Sequence, residues 1–340
     1  MPENFLVFVE CMTFNHHSYI EDAMNGFCMQ KTDFPYLCVV MDDCSTDGEQ
    51  DVINNYVAKH FDILSDEVTD DYVLNFCQHK TNINCYFAVF YLKYNHFSIK
   101  KDKIPYYIRW RDNSKYIALC EGDDYWVDEK KLQIQADFLE KNAEYYSCCH
   151  QSLAIKPDKT PIQLMWDENI MDDYDISTLN GYMDFPHTAT YFFYNPNNVH
   201  NKTPKFITNY ALITGWDKSL VLFLFSMGKI RYFAKKMSCY RVSSGYNITS
   251  IIWKENWTQI LEKNEAHMLM QVKEYNLNID IRPHYYRNAL FYAIRFWWHN
   301  KTKENCHWIW YVWKRTPNKL YGVYCICKLI INSLRQHKRS

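Results

Sequence analysis

Tyr36-Leu-Cys-Val-Val-Met-Asp-Asp-Cys-Ser-Thr-Asp-Gly48 carries the clearest indication of the fold class. It begins with an uninterrupted apolar run, which is typical of a strand covered on both faces by helices in a parallel sheet. The run stops abruptly at Asp42, and a second run, Tyr116 to Cys120, stops in the same way at Glu121. Because ligands bind at the carboxyl ends of strands in open α/β sheets, we expect both acidic clusters to line a binding crevice.

Helical and extended patterns alternate around these two runs through the first 150 residues. Phe5 to Met12 reads as a strand, and Ser18 stands three residues before Glu21, which predicts a capping box at the start of a helix. Two sets of apolar residues follow a helical period: Ile20, Ala23, Met24, Phe27 and Cys28, and later Leu132, Ala136 and Leu139. The alternation predicts a mixed α/β domain with a mostly parallel central sheet.

Composition and charge describe a globular chain with an acidic body and a basic end. Of the 340 residues, 48% are hydrophobic and 17% aromatic, which suits a packed enzyme. The formal net charge is -1, yet residues 282–340 carry 12 Lys or Arg and a single acid, Glu304. Such a tail predicts an anionic partner, either phospholipid or nucleic acid. No nucleic-acid recognition motif accompanies it, so phospholipid is the favoured anionic partner of the two.

The cysteines and the hydropathy pattern favour a cytoplasmic protein. The 13 cysteines are odd in number and lack the spacing of a disulfide framework or a zinc site, as expected for reduced thiols. The apolar run that starts at Phe5 has no basic region before it, so it does not read as a secretory signal. No clean apolar segment is long enough to span a bilayer.

The acids after the first run have two interpretations. Asp, Ser and Gly between Asp42 and Gly48 suit an ordinary turn, in which Asp47 could cap the next helix. Alternatively, Asp42 or Asp43 accepts the imide N–H of a pyrimidine base.

Glu121-Gly122-Asp123-Asp124 is harder to explain as a turn. Its three carboxylates repel one another unless a cation or hydrogen-bond donors compensate. Mg²⁺ and Mn²⁺ prefer oxygen ligands and bind through one or two carboxylates together with substrate phosphates. Such an ion would neutralise the charge that develops on a diphosphate leaving group.

Four pieces of the chain occur in an order that matches a known family: Thr13-Phe14-Asn15-His16, Asp42-Asp43-x-Ser-Thr-Asp-Gly, Cys120 to Asn142 and Tyr240-Arg241. The third has the wording "CEGDDYW...KLQ.Q..FLE.N". Residues 5–150 thereby resemble the GT-A domain of family 2 glycosyltransferases, in particular bacterial enzymes of surface-polysaccharide synthesis. The resemblance implies a GT-A Rossmann-like nucleotide-sugar-binding domain. It also implies inverting transfer of a sugar, with a UDP-sugar as the expected donor, to an acceptor hydroxyl in polysaccharide or glycolipid synthesis.

The resemblance also assigns residues. Asp123 becomes the predicted ligand of Mn²⁺ or Mg²⁺, because Glu121-Gly122-Asp123 occupies the family's DXD position. The longer arm of Glu121 leaves its role open between ribose contact and indirect metal contact. The predicted nucleotide-sugar-binding residues are Thr13, Asn15, Asp42, Asp43, Glu121, Asp124 and Arg241.

Inverting transfer also needs a base that takes the acceptor proton. The resemblance places this base at Asp217, whose local sequence also reads as a helix N-cap. Asp184 and His187 form a reserve pair within a loop. Arg241 suits a phosphate contact, with a structural ion pair as an equal alternative, and Ser243 stands where many relatives carry His.

The C-terminal segment completes the predicted organisation: a catalytic domain over 1–250 and a helical, aromatic and basic segment over 251–340. Its tryptophans, interleaved with Lys and Arg, are Trp297, Trp298, Trp308, Trp310 and Trp313. Such residues suit a membrane interface, which predicts a peripheral enzyme on the inner face of the cell membrane with a saccharide or lipid-linked acceptor. Packing of the tryptophans against the catalytic domain is the alternative.

Two other functions are compatible with an α/β sheet that carries acidic clusters. A sugar nucleotidyltransferase normally has a glycine-rich phosphate loop near the first strand, whereas Gly26 is the first glycine of this chain. A non-catalytic sugar- or nucleotide-binding scaffold with the same fold is compatible with the departures at Glu121 and Ser243. We therefore expect a metal-dependent glycosyltransferase and keep the scaffold and the sugar nucleotidyltransferase as alternatives.

Overall fold

The computed structural model describes residues 4–162, 173–175, 186–198, 216–242, 257–299, 301–317, 319–320, 323–324 and 327. Its strands are β1 (Val7–Thr13), β2 (Tyr36–Asp42), β3 (Phe61–Val68), β4 (Tyr72–His79), β5 (Cys85–Leu92), β6 (Tyr116–Leu119), β7 (Tyr125–Trp126), β8 (Ser147–Ile155), β9 (Asp173–Tyr174), β10 (Phe192–Tyr194) and β11 (Ile230–Arg241). Its helices are α1 (Ile20–Cys28), α2 (Glu49–His60), α3 (His96–Ile99), α4 (Ile104–Asn113), α5 (Lys131–Lys141), α6 (Trp216–Met227), α7 (Trp257–Glu274), α8 (Arg282–His299) and α9 (Lys303–Arg315).

The strands form one sheet in the order β3-β4-β5-β2-β1-β6-β10-β8-β11-β7, with β9 paired to β11. Strands β5, β2, β1 and β6 are parallel to one another and make up the centre. Antiparallel pairs flank this centre on both sides. The mixed α/β architecture with a parallel central sheet and helices towards the C-terminus confirms the predicted fold class.

Burial explains why the apolar runs form the central strands. All seven residues of β2 are buried, as expected for a strand covered on both faces. Helix α5 buries the predicted residues Leu132, Ala136 and Leu139 against the main core, and α1 buries Ile20, Ala23, Met24 and Phe27 there. The helical period of the sequence therefore identified the inward faces of both helices.

The predicted capping box at Ser18 is wrong. Helix α1 begins at Ile20 with Tyr19 as its N-cap, and no side chain caps it. Instead, the backbone N–H groups of Tyr19 and Ile20 donate to the carbonyl of His16 at 2.8 and 2.9 Å. A main-chain turn after β1 thus satisfies two backbone donors at the start of the helix.

The chain divides into two compact units. All the strands and α1 to α6 belong to the first unit, and α7 to α9 belong to the second. The predicted domain boundary at residue 250 lies outside the described residues and stays a prediction. Among the described residues, the helices are too short or too polar to cross a bilayer.

Candidate functional site

The carboxyl ends of three parallel strands meet at one edge of the sheet. Thr13 at the end of β1 pairs in register with Asp42 at the end of β2. Beyond β6, the N–H groups of Cys120 and Gly122 donate to the carbonyls of Glu10 and Met12, both at 3.1 Å, so the acidic segment continues alongside β1. This ladder places the two predicted acidic clusters on either side of Thr13.

Glycine is required where the acidic segment crosses β1. A Cβ atom on Gly122 would lie 2.1 Å from Thr13 Oγ1 and 2.6 Å from Thr13 Cβ. The backbone therefore approaches the threonine side chain as closely as a residue without a side chain allows.

Glu121, Asp123 and Asp124 bring one carboxylate oxygen each to within 4.8 Å of one another. Glu121 is exposed, Asp123 half-buried and Asp124 fully buried. Three hard oxygen donors at this spacing fit a divalent cation such as Mg²⁺ or Mn²⁺.

Asp124 is the buried anchor of this group. One of its oxygens accepts a 2.7 Å hydrogen bond from the backbone N–H of Arg241, and the other lies 3.3 Å from His187 Nε2. Burial raises the pKa of the Asp124 carboxyl well above its usual range, and the charge of Asp123 adds to the effect. The hydrogen bond from Arg241 acts in the opposite direction.

His187 reaches the site from the loop before β10. Burial lowers its pKa to about 4, so the ring is neutral at pH 7. Its Nδ1 accepts from the backbone N–H of Ala189, which assigns the proton to Nε2, the atom that faces Asp124. The ring stacks on Tyr240, with 4.0 Å between centroids. His187 of the predicted reserve pair thus positions Asp124, whereas Asp184 lies outside the described residues.

Arg241 ties the end of β11 to the acidic segment. Its Nε donates to the carbonyl of Asp123 at 2.9 Å, and its Nη2 pairs with Asp22 of α1 at 2.9 Å. The guanidinium lies 4.4 Å from the ring centroid of Tyr19, a cation–π contact. Nη1 is buried and has no hydrogen-bond partner among the described residues. The predicted structural ion pair is present, and Nη1 keeps donor capacity for a phosphate.

Thr13 joins a buried chain of polar groups. Its hydroxyl donates to Glu49 Oε1, and the Thr13 Oγ1 atom lies 3.1 Å from His16 Nδ1. The other oxygen of Glu49 accepts from the His16 backbone N–H and from the Ser45 hydroxyl, both at 2.8 Å. The Thr13 side chain is thereby held by its neighbours.

Asn15 links the loops that follow β1 and β2. Its backbone has φ 57°, a left-handed conformation that Asn tolerates better than most residues. Its N–H donates to Ser45 Oγ and its side-chain oxygen accepts from the Thr46 N–H, both at 2.8 Å. The predicted nucleotide-contact residue therefore shapes the rim of the crevice.

Asp42 and Asp43 are both buried at the end of β2. Asp42 accepts from the Ser45 N–H at 3.1 Å and from Gln50 Nε2 at 2.5 Å. Asp43 accepts from the N–H groups at the start of α3 and forms a 3.0 Å ion pair with Lys103. Each carboxylate thus orders a loop, and the base contact assigned to one of them stays a prediction.

The backbone of the predicted catalytic base, Asp217, lies within the described residues. Asp217 is the second residue of α6, but its side chain lies outside the described part of the chain, as does Ser243.

Sequence reasoning missed three residues of the site: His16 as a partner of Thr13, Glu49 beneath it, and Asp22 opposite Arg241. A signal existed for His16, which stands three residues after the end of β1 in the motif Thr13-Phe14-Asn15-His16. Glu49 and Asp22 read as ordinary first-turn helix acids, because their partners lie 36 and 219 residues away along the chain.

No family model matches the chain. Three uncharacterized proteins, one from Mycobacterium bovis and two from Mycobacterium tuberculosis, are each 31% identical to it over 147 residues, which is 43% of this chain. The match spans only 35% of the length of those relatives.

Solved structures similar to the chain include S. aureus TarS, at 15% identity and a TM-score of 0.45 over 96% of this chain and 53% of TarS. TarS 1–349 in complex with UDP matches at 12% identity and a TM-score of 0.41, over 88% of each chain. A mannosyltransferase from Pyrobaculum calidifontis, in complex with GDP-Man and Mn²⁺, matches at 12% and 0.43, over 96% of this chain and 87% of that one.

Proposed function

We propose that this protein is a metal-dependent glycosyltransferase that moves a sugar from a nucleoside diphosphate donor, a UDP-sugar, onto an acceptor hydroxyl by inverting transfer. The carrying observation is the group Glu121, Asp123 and Asp124, whose oxygens lie within 4.8 Å of one another where the central strands end. In open α/β sheets this edge is the usual place for a nucleotide ligand.

The cation would be held chiefly by Asp123 and Glu121. Asp124 would instead hold the acidic segment in position, because its two oxygens already face the donors Arg241 N–H and His187 Nε2. When bound, Mn²⁺ or Mg²⁺ supplies positive charge that stabilises the diphosphate leaving group. Arg241 Nη1 is proposed to add a charged donor to the same phosphates.

The nucleoside would occupy the crevice beside the loops that follow β1 and β2. Asp42 or Asp43 would accept from the base, and Asn15 would hold the rim through its bonds to Ser45 and Thr46. We propose Asp217 as the base that takes the acceptor proton, because an inverting transfer needs one carboxylate on the acceptor side.

Asp123→Ala tests the role of the acidic group. We expect it to abolish Mn²⁺-dependent UDP binding and donor hydrolysis, because it removes a predicted ligand of the cation. Isothermal titration with UDP, with and without Mn²⁺, measures the binding. The matched control is Asp137→Ala, an exposed acid of α5 that accepts a hydrogen bond from Gln133 and should bind as the wild type does.

The outcomes separate the proposed enzyme from its rivals. Unchanged Mn²⁺-dependent affinity in Asp123→Ala would exclude the ligand role. Metal-dependent nucleotide binding by the wild type without turnover of any UDP-sugar would favour the non-catalytic scaffold instead.

We also propose that α9 contacts an anionic membrane, which would place the enzyme on the cytoplasmic face near a lipid-linked acceptor. Trp308 and Val312 are buried, whereas Trp310 and Trp313 are 49% and 41% exposed. Lys314 Nζ lies 3.5 Å from the Trp310 ring centroid, and Lys319 Nζ lies 5.1 Å from that of Trp313. Exposed tryptophans beside lysines suit the headgroup region.

A further inference from the structure

We infer that His16 Nε2 is a nitrogen ligand of the cation bound by the acidic group, and that Thr13 and Glu49 orient the ring. The inference rests on the proposed function for the presence of the cation. It adds a residue outside the acidic segment and narrows the kind of ion that the site prefers.

Hydrogen bonding fixes the orientation of the ring. Because the Thr13 hydroxyl gives its proton to Glu49, its oxygen is left to accept, so the hydrogen between Thr13 and His16 belongs to His16 Nδ1. In the neutral ring, Nε2 then carries the lone pair. The chain Glu49, Thr13, His16 thus resembles the arrangement in which a metal-bound histidine passes its second N–H towards a carboxylate.

An ion would satisfy the buried His16 Nε2 atom. The residue is only 7% exposed, and Nε2 has no hydrogen-bond partner among the described residues. A buried polar atom in this state is costly unless a ligand satisfies it. A Cβ on Gly122 would lie 3.1 Å from His16 Nδ1, so the ring lies directly against the acidic segment.

The distance to the acidic group fits a shared cation better than an ion pair. His16 Nε2 lies 3.9 Å from Asp123 Oδ2. A protonated histidine bonded to a carboxylate would approach to about 2.7–2.9 Å. Two atoms that ligate one ion at about 2.1 Å each lie at most about 4.2 Å apart, so the observed separation admits an ion between them.

A nitrogen ligand has a consequence for metal choice. Mg²⁺ prefers oxygen ligands, whereas first-row transition ions accept imidazole. We therefore expect the site to prefer Mn²⁺ or Co²⁺ to Mg²⁺, and His16→Gln to reduce that preference.

Electron paramagnetic resonance of Mn²⁺ bound to the full chain tests the inference. We expect the wild type to show a ¹⁴N coupling from a histidine ligand in pulsed spectra, and His16→Gln to lose it. Counting free Mn²⁺ in titrations should show weaker binding in His16→Gln, by about 10–100-fold or more. Thr13→Val, which cuts the orienting chain but keeps the side-chain shape, should weaken binding by about 10–100-fold. His17→Gln changes the exposed neighbour and is the matched control, which should keep both the ¹⁴N coupling and the Mn²⁺ affinity of the wild type.

Each outcome is decisive. Retained nitrogen coupling and affinity in His16→Gln, or stronger Mn²⁺ binding because a positive charge has been removed, would overturn the inference. If His16→Gln does not fold, unchanged Mn²⁺ affinity in Thr13→Val overturns it. Metal-dependent UDP binding by the wild type without any nitrogen coupling would also overturn it while the proposed function stands. Absence of Mn²⁺-dependent UDP binding in the wild type would overturn the proposed function itself.

Discussion

Among single residues, Gly122 lies where the backbone of the acidic segment packs against the Thr13 side chain. In Gly122→Ala the new Cβ would meet Thr13 Oγ1 at 2.1 Å, and Thr13 cannot turn away without losing its bonds to Glu49 and His16. We expect a loss of about 1–3 kcal/mol in unfolding free energy, typical of overpacking, together with weaker Mn²⁺ binding. Denaturant unfolding and Mn²⁺ titration measure the two effects. Wild-type values in both would show that the segment shifts freely, contrary to the tight contact described above.

Some residues of the site could be predicted from the sequence, and others could not. Glu121 and Asp123 could be identified because their type, spacing and position after a strand all indicate a cation. The buried chain beneath them could not, because the Thr13 hydroxyl meets Glu49 only once two strands and a helix are packed together. The location of Asp42 and Asp43 at the end of β2 was predicted correctly, and the bond from the Ser45 N–H to Asp42 is a turn contact of the kind that the sequence indicated. The bonds that Asp43 accepts from α3 gave no signal, because their donors lie 53 and 54 residues away along the chain.

At the scale of elements, α5 begins with a buried lysine. Lys131 has no exposed surface; its Nζ donates to Gln135 Oε1 at 2.7 Å and lies 4.2 Å from the Trp126 ring centroid. Burial lowers the pKa of Lys131 to about 7. The unfolded chain, with a lysine pKa of about 10.4, holds the proton that the folded protein releases between these values. Folding stability should therefore rise with pH from about 7 to 10, and the cost of burying the charge is fully present below pH 7.

Lys131→Met removes this cost. We expect the variant to be more stable at pH 7 by about 1–4 kcal/mol, as when buried charges are replaced by apolar groups of similar volume. Its stability should also rise less steeply between pH 7 and 9 than that of the wild type. Urea unfolding at several pH values measures both, with the exposed neighbour Lys130→Met as the control that keeps the wild-type slope. A lower stability at pH 7 would mean that the contacts with Gln135 and Trp126 outweigh desolvation.

The elements themselves could be predicted where a local pattern sufficed. β2 and β6 followed from apolar runs, and the inward faces of α1 and α5 followed from their period. The order of strands could not be obtained in this way. β10 inserts antiparallel between β6 and β8, and β11 lies parallel to β8, which are pairings between segments tens of residues apart. Long-range packing decides them, and no single segment carries that information.

At the scale of the whole molecule, the basic charge at the C-terminal end of the sequence gives the membrane proposal its test. In Trp310→Gln/Trp313→Gln we expect weaker sedimentation with vesicles that contain anionic lipid, because two exposed interfacial side chains are lost. Added salt should weaken the sedimentation of the wild type with these vesicles, since basic residues near anionic lipid contribute about 1 kcal/mol each and salt screens that attraction. Met270→Gln, an exposed apolar residue of α7, is the control for general surface change. Equal sedimentation of the double variant and the wild type would leave α9 without a membrane role, and sedimentation with neutral vesicles alone would contradict the charge-based attraction.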